Sequence, residues 1–195
     1  AGGESPMKVI ETALSGVLII EPKVFGDARG FFLETFHKQR YTEAGIPGEG
    51  LEFVQDNHSR SRKGVLRGLH FQLNHPQGKL VSVAAGCVFD VAVDINPDSP
   101  TCGCWEGTEL SEDNHRQLWV PPGYAHGFCV LSDSADFQYK CTDVYHPGDE
   151  GGVLWNDPDI GIDWPLDAPL LSAKDSALPR LTELSRDRLP QRYQR

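Results

Sequence analysis

Short apolar runs punctuated by turn residues recur along most of the chain, and their alternation has the period of strands. The segments Val17–Glu21, Gly30–Phe36, Phe53–His58, Val65–Gln72 and Lys79–Ala85 read as strands. So do Cys87–Ile95, Trp105–Leu110, Gln117–Val120, Phe128–Leu131 and Phe137–Tyr145. Between them, Asp27-Ala28-Arg29-Gly30, Asn74 to Gly78, Asn96 to Pro100 and Pro121-Pro122-Gly123 carry the Gly and Pro that fix turns. One early helix is predicted over Lys38–Ala44, stopped by Gly45 and Pro47, and a shorter helical piece near Leu178–Leu184. The pattern predicts an all-β barrel or sandwich with a few short peripheral helices.

Two segments specify the barrel further. Gly64 to His70 and Pro121-Pro122-Gly123-Tyr124-Ala125-His126, whose histidines stand 56 residues apart, resemble the two half-motifs of metal-binding cupin barrels, G-x5-H-x-H and P-x-G-x2-H. Where the second histidine of the first half would stand there is Gln72, and no Glu follows within reach. His70 and His126 alone fall short of the three or four protein ligands of a catalytic metal. The expectation is a cupin-like jelly roll with no metal in its mouth, where a histidine serves acid–base chemistry instead.

With 195 residues, 39% of them hydrophobic, the chain suffices for one well-buried core and is short for two, so residues 7–195 are expected to form a single domain. Ala1–Pro6, Gly/Ser/Pro-rich and ahead of Met7, reads as an expression-derived tail. No apolar run reaches the length of a membrane span or signal peptide, which predicts a soluble, cytoplasmic protein. Five cysteines, three of them in apolar strand-like runs, argue against a disulfide framework, and Cys102 and Cys104 read as loop residues. A net charge of −10 argues against a nucleic-acid surface, yet a few converging arginines still accommodate a small anion.

Within Val65–Gln72 regular alternation puts Leu66, Gly68, His70 and Gln72 on one face and Arg67 on the other. A bulge at Gly68 would bring Arg67 and His70 to the same side. His70 reads equally as a core histidine bonded to backbone. Lys79 either snorkels to solvent from its strand end or points inward to stabilise negative charge on an oxygen. Tyr139 shares parity with Phe137 and Cys141 and is either a core tyrosine or a proton donor. Asp90 and Asp94 read as acids that hold the sheet or a turn.

Taken together, Asp27-x-Arg29-Gly30-x-Phe32-x-Glu34, Gln55-Asp56-Asn57-x-Ser59, Gly64 to Gln72, Pro121-x-Gly123-x-Ala125-His126-Gly127-Phe128, Tyr139-Lys140, Asn156-Asp157-Pro158 and Trp164-Pro165 resemble the dTDP-4-dehydrorhamnose 3,5-epimerase family. The likeness runs from about Met7 to Asp175. It implies a homodimeric, metal-free cupin-type barrel, without cofactor, that epimerises a dTDP-4-keto-6-deoxyhexose at C3, C5 or both. By that likeness His70 is the base, Asp175 its partner, Tyr139 the acid on the opposite face, and Lys79 the group that holds the enolate oxygen. Arg29, Glu34, Gln55, Asn57, Arg67, His126, Glu150 and Lys174 fall where the family binds sugar, diphosphate and base, and Tyr145 where an aromatic stacks near the nucleotide. Inverting a carbon beside a ketone transfers no net electrons, which suits an enzyme without a redox cofactor. The alternatives are a C3-only or C5-only epimerase of a secondary-metabolite sugar and a sugar-nucleotide 3,4-ketoisomerase. Tyr139 and the Arg67-x-x-His70 spacing favour the epimerase.

Overall fold

The computed structural model describes residues 6–191 and 193. Ala1–Ser5 of the expected tail, and Arg192, Gln194 and Arg195 at the basic end, lie outside the described residues.

Two antiparallel sheets face each other in a cupin-like jelly roll. The first has the order β1-β2-β10-β7-β12-β5 and the second β13-β6-β11-β8-β9. The strands of the first are β1 (Met7–Glu11), β2 (Leu18–Pro22), β5 (Gln55–Arg62), β7 (Lys79–Ala85), β10 (Gln117–Val120) and β12 (Ser134–Cys141). Those of the second are β6 (Leu66–Gln72), β8 (Cys87–Val93), β9 (Trp105–Ser111), β11 (Ala125–Val130) and β13 (Glu150–Gly152). A separate hairpin, β3 (Val24–Asp27) and β4 (Gly30–Leu33), stands apart from both.

Alternation along these strands sorts the side chains into three apolar layers. Val81, Val83 and Phe137 of the first sheet meet Val88, Ala92, Leu110 and Phe128 of the second in the central core. Helix α1 (Lys38–Glu43) and its flanks cover the outer face of the first sheet, where Tyr41, Ile46 and Phe36 pack on Leu80 and Trp119. The C-terminal segment covers the outer face of the second: Val153, Ile160 and Leu189 pack on Leu69, Phe71, Val91 and Val93. The tail beyond Arg186 therefore docks on its own sheet as far as Gln191, whose N–H donates to the Leu73 carbonyl at 2.8 Å.

The predicted strands are present, Lys79–Ala85 and Gln117–Val120 with the ends expected and the others with shifted ends. Predicted strand Gly30–Phe36 stops at Leu33, because Phe36 turns inward against Tyr41. Predicted strand Phe137–Tyr145 ends at Cys141, and its last residues form a loop. The C-terminal helical piece is reduced to a 3-10 turn over Leu181–Glu183, while the short helix α2 (Ala173–Ser176) lies just upstream of where it was expected. No helix among the described residues is long and apolar enough to cross a membrane.

Candidate active site

The chemistry-bearing side chains gather where the loop after Gln72 turns β6 into β7. Along β6 and β11, Arg67 faces Phe128 and His70 faces His126, so Gly68 and Leu69 together oppose Gly127. This bulge reverses the alternation and brings Arg67 and His70 to one side, as the spacing allowed. Gly68 is required there: its φ is +135°, and a Cβ would lie 2.7 Å from the Gly127 Cα. The Gly68–Leu69 peptide is cis.

His70 Nε2 lies 2.7 Å from Oδ1 of Asp175, and Oδ2 of Asp175 accepts the Gly68 N–H at 3.1 Å. Ser172 caps α2 by accepting the Asp175 N–H at 3.0 Å, which orients the carboxylate. Burial works to raise the pKa of Asp175, but the bonds from His70 and Gly68 outweigh it and hold the carboxyl below its usual range. An ionised carboxylate only accepts, so the His70 proton sits on Nε2 and Nδ1 keeps its lone pair. The ring is 39% exposed, in a cleft of about 390 Å³ that Arg67, Ser172, Lys174 and Asp175 also line.

The facing sheet supplies Lys79 and Tyr139. Lys79 points inward rather than to solvent: it is 9% exposed, and its Nζ lies 5.8 Å from the centroid of the Tyr139 ring. Burial pulls its pKa down, opposed by Cys141, Asp90 and Glu150. Tyr139 is raised by burial and by Cys141, with a hydrogen bond to Asn57 and the charge of Arg67 pulling the other way. Asn57 is its register partner across β5 and β12, and Arg67 Nε donates to Ser61 Oγ at 3.0 Å. Tyr139 and Asn57 also border a second cavity of about 300 Å³ that reaches Ser82 and Gln138. Arg67 lines the cleft of His70.

Asp90, expected only to hold the sheet, sits among these groups. Its Oδ1 lies 2.7 Å from Nε2 of His126, and both residues are buried. Burial pushes Asp90 above the usual carboxylate range against the pull of His126 and Lys79, and among the described residues its Oδ2 has no hydrogen-bond partner. The signal was present in Val88-Phe89-Asp90-Val91: an acid inside an apolar strand needs a buried cation or proton. His126 thus offers a ligand only its Nδ1.

At the rim, Gln55 accepts the Tyr145 N–H at 2.9 Å and donates to Asn57 at 3.1 Å. Lys174 Nζ donates to Glu150 at 2.7 Å, a bond that lowers the Glu150 carboxyl and raises the lysine. Arg29 and Glu34 are not brought in by their own chain. Arg29 is bound to Asp27 at the exposed tip of the hairpin, and Glu34 to Arg40 of α1.

Comparison with known proteins bears on this arrangement. A family model described as dTDP-4-dehydrorhamnose 3,5-epimerase matches residues 11–183. The dTDP-4-dehydrorhamnose 3,5-epimerase of Salmonella typhimurium is 58% identical over 179 residues, 91% of this chain and 97% of the other. A solved Legionella pneumophila dTDP-6-deoxy-D-glucose-3,5-epimerase, in complex with dTDP-4-keto-L-rhamnose, superposes with a TM-score of 0.91 at 55% identity, covering 97% of this chain and 100% of the other. The dTDP-4-dehydrorhamnose 3-epimerase of Streptomyces niveus is 42% identical, over 91% of this chain and 85% of its own.

Proposed function

Because the chain belongs to the dTDP-4-dehydrorhamnose 3,5-epimerase family, we propose that it inverts both carbons flanking the ketone of a dTDP-4-keto-6-deoxyhexose by proton removal and return. The observation that carries the reading is the division of labour between the sheets: His70, bonded to Asp175 of α2, on one, and Lys79 and Tyr139 on the other.

Nδ1 of His70 takes the proton alpha to the ketone, and the electron pair moves onto the carbonyl oxygen as an enolate. The ammonium of Lys79 stabilises that oxygen, an interaction strengthened by its burial. Tyr139, kept protonated by its raised pKa, delivers its proton to the opposite side of the same carbon. The imidazolium and phenolate return to their starting states by exchange with water, which readies the site for the second carbon. Arg67 and Lys174 suit the diphosphate, Arg67 by bidentate hydrogen bonds. Gln55, Asn57 and Glu150 suit the polar groups of sugar and base, and Tyr145, 53% exposed, offers a ring for stacking. His126 closes the floor beneath them.

Arg29 and Glu34 enter through a homodimer. The hairpin that carries Arg29 exposes Phe25, Phe31 and Phe32, an apolar surface that a second copy would cover. A reducing, cytoplasmic setting suits five unpaired cysteines. The two-carbon outcome is favoured over inversion at C3 alone by the higher identity to the 3,5-epimerase of Salmonella than to the 3-epimerase of Streptomyces.

The test is NMR of the product formed from dTDP-4-keto-6-deoxyglucose in deuterium oxide. Deuterium at C3 and C5 with the ketone still at C4 is expected, and Tyr139→Phe should keep part of the exchange while losing inversion. A ketone moved to C3, or deuterium confined to one carbon, overturns the two-carbon reading.

A further inference from the structure

We propose that His75, Asp143 and His146 form a binding site for a divalent transition metal of the zinc class, which ties together the two loops at the active-site end of the sandwich. The three ligand atoms lie within 4.8 Å of one another. His75 Nδ1 is 3.6 Å and His146 Nε2 3.3 Å from the two oxygens of Asp143. Both separations are long for hydrogen bonds. The shorter equals the roughly 3.3 Å between ligands of a tetrahedral centre with bonds of about 2.0–2.1 Å, and the longer, to the other carboxylate oxygen, closes to it with a small movement of the His75 ring. Two imidazoles and a carboxylate leave a fourth position for water, a donor set that zinc accepts. The two rings are stacked, 3.7 Å between centroids and 16° apart, and turn from that stack when a metal enters the plane of each.

The frame around the ligands is already fixed. Asp149 accepts the N–H groups of Asn74 and His75 at 2.9 and 2.8 Å, and Gln77 Nε2 donates to the Asp143 carbonyl at 2.9 Å. These bonds fix the backbone that carries His75 and Asp143. One loop joins His70 on β6 to Lys79 on β7, and the other runs from Tyr139 on β12 to Glu150 on β13. A metal here fastens Tyr145, which lies between two of the ligands in sequence.

The test uses the full chain, stripped with chelator and desalted, titrated with zinc chloride by calorimetry and with cobalt(II) by absorption. One equivalent is expected to bind at micromolar or tighter affinity, at least tenfold weaker in His75→Ala and in His146→Ala. Cobalt should give nitrogen–oxygen ligand spectra without thiolate charge transfer. Zinc should also slow hydrogen exchange in residues 73–78 and 142–149 of the wild type. Absence of binding below roughly 1 mM, wild-type affinity retained in either variant, or a thiolate band marking the exposed Cys102 and Cys104 as the ligands, overturns the site. Because these readouts need no substrate, their failure is distinct from failure of the epimerase reading.

Discussion

The molecule contains two histidine–aspartate pairs with the same contact, Nε2 to Oδ1 at 2.7 Å, in opposite surroundings. Asp175 has both oxygens satisfied, by His70 and by the Gly68 N–H, and its partner ring opens to the cleft. Asp90 is wholly buried, one of its oxygens has no partner among the described residues, and its histidine is 8% exposed. The carboxyl is therefore lowered in the first pair and raised in the second. Geometry at the contact does not decide the role of such a pair. What decides it is whether the second oxygen is satisfied and whether the far imidazole nitrogen reaches a ligand.

Paired removal of the two histidines is the strongest way to break this contrast. His70→Asn should lower turnover by about 10²–10⁴-fold, the range for loss of a positioned base, with little change in the urea midpoint. His126→Ala should instead cost about 1–3 kcal/mol of stability, because it leaves the Asp90 carboxyl buried without the imidazole that bonds its Oδ1. Steady-state kinetics and urea unfolding on both variants give the answer. Loss of stability in the first variant, or its absence in the second, would reverse the roles assigned to the pairs.

The bulge that makes the first pair possible gives a smaller effect. Gly68→Ala places a methyl 2.7 Å from the Gly127 Cα and 3.0 Å from the His126 carbonyl oxygen, so β6 and β11 must separate. A loss of about 1–3 kcal/mol is expected from this overpacking, accompanied by reduced turnover as Asp175 loses its backbone anchor. Unfolding in urea measures the first and kinetics the second. An alanine accepted without change in either would mean that the bulge does not position His70.

Much of this was legible from residue order, and the limits were physical. Alternation found the strands because both sheets bury one face against a common core, and the Gly in Arg67-Gly68-Leu69-His70 marked the bulge. Strand ends shifted where tertiary packing outweighed propensity, as at Phe36. Helix α2 escaped because four residues carry no helical period, although Ser172-Ala173-Lys174-Asp175 already held its cap. Asp175 and His70 are separated by 105 residues, and spacing carries no information about such a contact. Asp90 was placed in the sheet but not among the charged groups, since alternation gives a face and not the neighbours across the core. The cluster of His75, Asp143 and His146 was missed for a related reason, its members lying on two loops with no shared period.

The smallest effect sharpens the comparison through pH. Asp175 has a folded pKa below its ordinary 3.8, so its contribution to stability is complete above that value and is lost as the pH falls through the lower folded value. Asp90 has a folded pKa above 3.8, so the folded state favours its proton: stability is greatest below 3.8 and declines as the pH rises through the folded value. Asp175→Asn should therefore lie below wild type near neutrality and approach it in acid, whereas Asp90→Asn should gain on wild type as the pH rises. Urea midpoints between pH 3 and pH 8 should show these opposite slopes, with differences of about a few tenths of a molar. Parallel slopes for the two variants would mean that burial treats both carboxyls alike, and the distinction between the two pairs would then rest on exposure of the imidazole alone.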